Sequence, residues 1–277
     1  MSSKGLPHKD SQFSKAAYRL SEMEHRYGKN VHILSNPFLL THLAQLCSKE
    51  TIQPRINELV TALYSSMLDI VVNQEFPTKP AAVETRMAEF HPEGFYQGPI
   101  IDAGVPVVSV NLARAGTVPS HICFSALNYF MDPHKTRQDH ISIGRTTNEQ
   151  HQVTGSQVSG HKIGGSAEGA IVLFPDPMGA TGSTLCEAVD MYKKSHGKAL
   201  KYIAMHCIVT PEYLKRVLGA HPDLVVYAIR LDRGLSPAKI LDSVPGTFWD
   251  QEKGLNEKHY IVPGGGGFGE ILNNAYV

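Results

Sequence analysis

The apolar run Ala170-Ile171-Val172-Leu173-Phe174 stops at Pro175 and gives way to Asp176-Pro177-Met178-Gly179-Ala180-Thr181-Gly182-Ser183-Thr184. Beyond it Leu185, Ala188, Val189 and Tyr192 recur at helical spacing, through about Lys194. A short apolar run, a stretch rich in proline and glycine, and then a 3.6-residue period read as strand, loop and helix. This succession constrains the chain more than any other segment. Backbone N–H groups at the start of a helix converge on an anion without needing a lysine, because they have no partner inside the helix and carry the positive end of its dipole. Gly179 and Gly182 let the chain approach a ligand closely. Thr181, Ser183 and Thr184 add hydroxyl donors suited to a terminal phosphate monoester. Asp176, at the head of the loop, is placed to hold ribose hydroxyls or to organise a magnesium ion through water. The same small residues would also serve a plain helix cap. The loop is no Walker A sequence, for which a lysine is missing. The glycines at 264–267 and 269 make no dinucleotide fingerprint either, since only eight residues follow Gly269 and no βαβ unit can be completed.

Three more apolar runs, Pro106 to Val110, Tyr202 to Val209 and Leu224 to Ile229, read as buried strands. Helical stretches separate the later ones, with Thr210 as N-cap for Pro211 to Leu218. Strands alternating with helices at this spacing imply right-handed crossovers and a parallel sheet, so the fold class is α/β, a parallel sheet flanked by helices. Towards the N-terminus, Pro37 to Cys47 and Ile52 to Val72 carry apolar residues at three and four, among them Leu59, Leu63, Met67 and Ile70, and form two amphipathic helices expected to pack. The polar stretch 1–30 has helical spacing only around Ala16 to Met23 and reads as a tail or a loosely docked helix. Residues 31–277 then form one main domain with two interruptions. Thr146 to Gly169, rich in Gly, Ser, Thr, Gln and His, is expected to be a lid-like mobile loop ahead of a central strand. Arg233 to Lys253 is an insert holding the single tryptophan, Trp249, and its purpose is not readable.

Composition excludes several classes. With 42% apolar and 19% charged among 277 residues, the chain can fill a core. Lys plus Arg and Asp plus Glu balance at 26 each, so no basic field gathers nucleic acid or an anionic membrane. Cys47, Cys123, Cys186 and Cys207 are scattered without a CxxC pair and read as buried free thiols. With no signal peptide and no apolar run long enough for a membrane span, the expected compartment is the cytoplasm. The 14 histidines form no HExxH or other tight ligand spacing, so no protein-held metal is expected. No Ser-His-Asp or Cys-His arrangement points to a nucleophile.

Asp176-Pro177-Met178-x-Ala180-Thr181-Gly182 resembles the phosphoribosyl diphosphate loop of the uracil phosphoribosyltransferases. Further blocks agree in order. Asn111-Leu112-Ala113-Arg114-Ala115-Gly116 resembles the family's Leu-Arg-Ala-Gly diphosphate loop, with Ala113 where the family has leucine. The most distinctive block, Gly254-Leu255-Asn256-Glu257-Lys258-His259-Tyr260-Ile261-Val262-Pro263-Gly264, is similar to its C-terminal base-recognition segment. Ser35-Asn36-Pro37-Phe38-Leu39 resembles the opening of the first helix. The resemblance spans roughly Val31 to Asn274.

It implies pentosyl transfer from 5-phosphoribosyl 1-diphosphate, accompanied by magnesium, to uracil, giving uridine monophosphate and diphosphate. Asp176 and Arg114 would be catalytic. Asp176, Pro177, Met178, Gly179, Ala180, Thr181, Gly182, Ser183 and Thr184 would cradle the 5-phosphate and ribose, with Arg114 and Arg145 facing the diphosphate and Gly267 beside the sugar. Ile261, Gly266, Gly267 and Phe268 would read the base, mainly through their backbone. A homodimer is the implied assembly, with no nucleic acid or membrane partner. The sequence departs from the pattern at four further places. Gly267 stands where the family has a ribose-contacting aspartate, Thr146 where an acidic residue usually follows Arg145, and Gly179 where a larger apolar residue is usual. The insert 233–253 directly precedes the base-recognition block. Two other readings therefore stand beside the uracil enzyme: a binding or regulatory protein without turnover, and a transferase for a different base.

Overall fold

The computed structural model describes residues 10, 12, 15, 17–147 and 153–275. In chain order its elements are β1 (Val31–Ile33), α1 (Pro37–Leu46), α2 (Arg55–Glu75), β2 (Thr78–Glu84), β3 (Phe95–Ile101), β4 (Val107–Ala113), α3 (Thr117–Leu127), β5 (Thr136–Thr147), β6 (Val153–Lys162), β7 (Ile171–Pro175), β8 (Met178–Gly179), α4 (Ser183–Ser195), β9 (Lys201–Val209), α5 (Pro211–Ala220), β10 (Val225–Leu231), α6 (Ala238–Leu241) and α7 (Phe268–Ile271).

Among the described residues the main sheet runs β1-β10-β9-β7-β4-β5-β6, with β8 adding to the end of β9. Every pairing in it is parallel except β5 with β6. The α/β expectation is met, and the reason is visible along the strands. Successive side chains point to opposite faces, so a strand buried on both sides needs an unbroken apolar run. Ile171 and Leu173 of β7 join α1, α2 and α3 in one core, while Val172 and Phe174 join α4 and α5 in the other.

The helix starts follow their caps. Asn36 accepts Leu39 N–H at 3.2 Å ahead of Pro37, and Thr210 accepts Tyr213 N–H at 3.0 Å ahead of Pro211. Helix α2 packs Leu59, Leu63 and Met67 against the sheet, the structural role expected of its stripe. Cys123 and Cys207 are buried, and Cys47 and Cys186 half-buried.

Two expectations need correction, and one element went unforeseen. The segment Thr146 to Gly169 is not one loop: residues 146–147 end β5, and Val153–Lys162 form β6, which turns back antiparallel along β5. The composition rich in Gly, Ser, Thr, Gln and His that suggested mobility equally suits the edge strand of an antiparallel arm. The arm is anchored at its base by Asp139, which accepts Arg137 Nε at 3.1 Å, Tyr192 Oη at 2.6 Å and Gly164 N–H at 2.9 Å. The described residues 17–30 before β1 form neither a tail nor a helix. Met23 N–H donates to Ile33 O and Ser35 N–H to Ser21 O, both at 2.9 Å, and Tyr27 is buried. Backbone pairing with β1 and burial of one aromatic ring override the weak helical spacing; Ala16, where that spacing begins, lies outside the described residues. Lastly, the antiparallel pair β2 and β3 stands as a separate two-stranded sheet that the sequence reading did not find. Pro80 and Pro99 sit opposite each other in it, and proline argues against a strand in a sequence reading.

The insert is readable in structure. Arg233 turns inward and donates to Ile240 O at 2.9 Å, Leu241 O at 3.1 Å and Ser243 O at 2.6 Å, which closes the segment on itself. Its charge is met by the buried Glu252 at 3.1 Å, and Tyr27 Oη donates to the same carboxylate. Trp249 stands edge-on to Tyr27, with centroids 5.0 Å apart, and donates to Pro211 O at 2.9 Å.

Candidate active site

The carboxyl ends of the parallel strands β4, β7, β9 and β10 lie side by side, and the loops leaving them form one rim, the usual place for a ligand in an open α/β sheet. The loop after β7 is held from beneath by β9. Cys207 N–H and Ile208 N–H donate to Pro177 O at 3.0 and 3.1 Å, Thr210 N–H to Gly179 O at 3.1 Å, and Thr210 Oγ1 to Ala180 O at 2.7 Å. Gly179 packs where a larger side chain has no room: a Cβ there would lie 2.9 Å from Val209 Cγ1 and 3.2 Å from the Tyr213 ring. Tyr213 thus fills the space that an apolar side chain at 179 would take.

Gly182 caps α4 with φ 80°, a left-handed conformation natural to glycine, and no side chain caps the helix. The first N–H groups of α4 are therefore open to a ligand, with the Thr181 and Ser183 hydroxyls 3.2 Å apart beside them. The strand, glycine-containing loop and helix start that the sequence pattern leads one to expect are present here.

Asp176 sits half-buried at the head of this loop, and no hydrogen bond or ion pair among the described residues engages its carboxylate. Burial pushes its carboxyl up to about 7, with no nearby cation to pull it back. Its backbone is held more firmly. Met205 O accepts Asp176 N–H at 3.1 Å, and His206 Nδ1 donates to Asp176 O at 2.5 Å. Burial lowers His206 to about 4, so the ring is neutral and its Nε2 accepts from Tyr213 Oη, also at 2.5 Å. Tyr213, His206 and the Asp176 carbonyl form a buried relay under the loop. The sequence reading missed it; histidine and tyrosine seven residues apart, across the end of a strand and into a helix, carry no recognisable spacing.

The Arg114 loop adjoins this one. A Cβ on Gly116 would lie 3.2 Å from Pro175 O, so the loop after β4 presses directly on the end of β7. The Ala113–Arg114 peptide is cis, and Arg114 is exposed. Its guanidinium donates to Ala275 O at 3.1 Å and faces no carboxylate among the described residues. Arg145 lies in β5 opposite Ser156 of β6, on the arm, and its side chain falls outside the described residues.

The C-terminal block Gly254 to Gly264 is pinned to the same rim. Glu212 accepts Gly254 N–H and Leu255 N–H at 3.0 and 3.1 Å. Asp232, at the end of β10, accepts Gly264 N–H at 2.7 Å while Arg230 binds both Asp232, at 2.6 Å, and Gly264 O, at 3.0 Å. Ile261 is half-buried and bridges Leu255. Phe268 buries its ring in the core that Ile261 and Met178 border, leaving only its backbone for a ligand. Gly266 is exposed with φ 87° and open space around it. The Asp176 loop, the Arg114 loop and this block are thus adjacent.

The uracil phosphoribosyltransferase pattern matches residues 33–248. The chain belongs to the uracil phosphoribosyltransferase family. Curated uracil phosphoribosyltransferases of Variovorax paradoxus and Shouchella clausii are 27% and 28% identical over 244 residues. They span 88% and 87% of this chain, and 97% of each relative. A solved structure of a protein from Aquifex aeolicus superposes with a TM-score of 0.67 at 21% identity, over 89% of this chain and 99% of the other, and shares the fold. The chain is therefore a divergent member of the family, matching 97% of the length of these relatives and distant from them in sequence.

Proposed function

We propose that the protein transfers the 5-phosphoribosyl group from its diphosphate to uracil, forming uridine monophosphate in the salvage of the free base. The observation that carries this reading is the uncapped start of α4, joined to an unpaired carboxylate at Asp176 on the rim shared with Arg114. The N–H groups and hydroxyls from Thr181 to Thr184 would hold the 5-phosphate, and the Asp176 carboxylate the ribose hydroxyls. Arg114 would pair the diphosphate, giving up its single carbonyl contact for two charged oxygens. Arg145 would approach the same group from the arm, which would also exclude water from the reacting carbon. The backbone of Ile261 and Gly266 to Phe268 would read the pyrimidine edge, with the glycines leaving room for the ring.

No group of three or more His, Cys, Asp or Glu that could hold a metal is found among the described residues. A magnesium ion carried in by the substrate fits this donor set, for that ion keeps several waters and is content with one carboxylate, here Asp176. It would neutralise charge on the leaving diphosphate. Among the described residues no helix is long and apolar enough to cross a membrane. The reducing cytoplasm suits four cysteines without a disulfide. A homodimer suits the exposed apolar side chains of the β2–β3 unit, Val83, Met87 and Phe90.

Diphosphate release from phosphoribosyl diphosphate and magnesium, measured with uracil and with a panel of other bases, tests the reading. Release that requires uracil and disappears in Asp176→Ala supports it. Release with another base alone transfers the activity to that base, and binding of phosphoribosyl diphosphate without turnover leaves a binding protein.

A further inference from the structure

Tyr213 lies under both glycines of the Asp176 loop. A Cβ built on Gly179 would lie 3.2 Å from Cδ1 and from Cδ2 of its ring, and one built on Gly182 would lie 3.4 Å from Cδ2. The ring is the floor of the loop, and the bulk usual at 179 is here supplied from α5. A tyrosine in that place brings what an aliphatic side chain cannot, a hydroxyl at the far end of the ring. Tyr213 and His206 are each 1% exposed, so every polar atom they carry needs a partner inside the protein.

The directions of the two hydrogen bonds between them and the loop follow from chemistry. Asp176 O can only accept, so His206 Nδ1, 2.5 Å away, carries the proton. The neutral ring then leaves Nε2 as an acceptor, and the Tyr213 hydroxyl donates to it at 2.5 Å. In a neutral imidazole the bond made at one nitrogen sets what the other can do. The opposite tautomer would turn a lone pair on Nδ1 towards the lone pairs of the carbonyl. Asp176 N–H also donates to Met205 O at 3.1 Å. Both backbone polar groups of Asp176 are thus held, and only its side-chain torsions remain to place the carboxylate.

We infer that His206 is a positioning residue for the Asp176 carboxylate, pinning the Asp176 carbonyl through Nδ1–H while the Tyr213 hydroxyl holds the ring in that tautomer and orientation. The inference deepens the proposed function and rests on it. It gives the proposed reaction two residues that touch no substrate, and it ties the missing side chain at 179 to the tyrosine that takes its space.

The test combines the nitrogen NMR spectrum of His206 with calorimetric binding of phosphoribosyl diphosphate and magnesium to wild type, His206→Leu, His206→Asn and Tyr213→Phe. Wild type should show a protonated Nδ1 and a bare Nε2 at pH 7; a proton on Nε2 instead overturns the inference. His206→Leu, which removes the donor, should weaken binding about tenfold. The amide nitrogen of asparagine sits on Cγ as Nδ1 does, so His206→Asn should bind within about twofold of wild type, although both variants lose the Tyr213 contact and melt lower. A merely structural histidine would let affinity follow the melting temperature in both. Tyr213→Phe keeps the floor, should melt close to wild type, and should weaken binding about threefold or more. Affinity unchanged in His206→Leu or in Tyr213→Phe, or His206→Asn as weak as His206→Leu, overturns the inference while wild-type binding keeps the proposed function standing. A wild-type chain that binds no phosphoribosyl diphosphate overturns both.

Discussion

Replacing Asp176 by asparagine should stabilise the free protein above neutral pH while abolishing its ligand. The carboxyl has an ordinary value of 3.8 and is pushed by burial to about 7. A carboxylate whose folded value is raised binds a proton more tightly folded than unfolded, so stability falls as pH rises from 3.8 to about 7 and stays reduced above it. At about 1.4 kcal/mol per tenfold, the full displacement corresponds to about 4 kcal/mol, and partial solvent access at the rim leaves roughly 2 kcal/mol. Asparagine removes the charge and with it this penalty. For a chain of this size roughly 2 kcal/mol is about 4 °C in Tm. Calorimetric melting of wild type and Asp176→Asn should therefore show the variant higher by about that amount at pH 8 and by less than half of it at pH 5. Titration with phosphoribosyl diphosphate at pH 8 should show binding only to wild type. A variant that melts lower at pH 8, or gains equally at both pH values, refutes the argument that Asp176 is an unpaired, desolvated charge kept for a ligand.

Arg114→Ala should raise KM for phosphoribosyl diphosphate about tenfold to a hundredfold in diphosphate-release assays with little change in Tm, since the side chain is exposed and makes a single carbonyl contact. Gly179→Leu should destabilise by about 1–3 kcal/mol in denaturant unfolding, because its Cβ would crowd Val209 and Tyr213; an unchanged midpoint would contradict the tight fit. Glu252→Gln should destabilise by about 3–5 kcal/mol by the same measurement, leaving Arg233 buried without its counter-charge.

The parallel sheet and the Asp176 loop were legible because their constraint is local. A strand covered on both faces must be apolar throughout, and an uncapped helix start needs small residues, so both write themselves into consecutive positions such as Ile171 to Phe174 and Gly179 to Thr184. The relay of Tyr213 and His206 beneath Asp176, the Arg230–Asp232 clamp on Gly264 and the anchor at Asp139 were not legible, because each joins residues that only the chain topology brings together. The β5–β6 arm failed for a different reason. A polar edge strand and a polar loop share a composition, and what separates them is the partner strand.

The clamp of Tyr27, Arg233 and Glu252 bears on where this protein begins and ends as a folding unit. The family pattern covers residues 33–248, and a chain trimmed to those limits would keep Arg233 while discarding both Tyr27 and Glu252. It would bury a guanidinium with no carboxylate and strip Trp249 together with its edge-on partner. The region by which the protein is recognised is thus smaller than the region that neutralises its buried arginine, and the flanks on either side are part of its foundation.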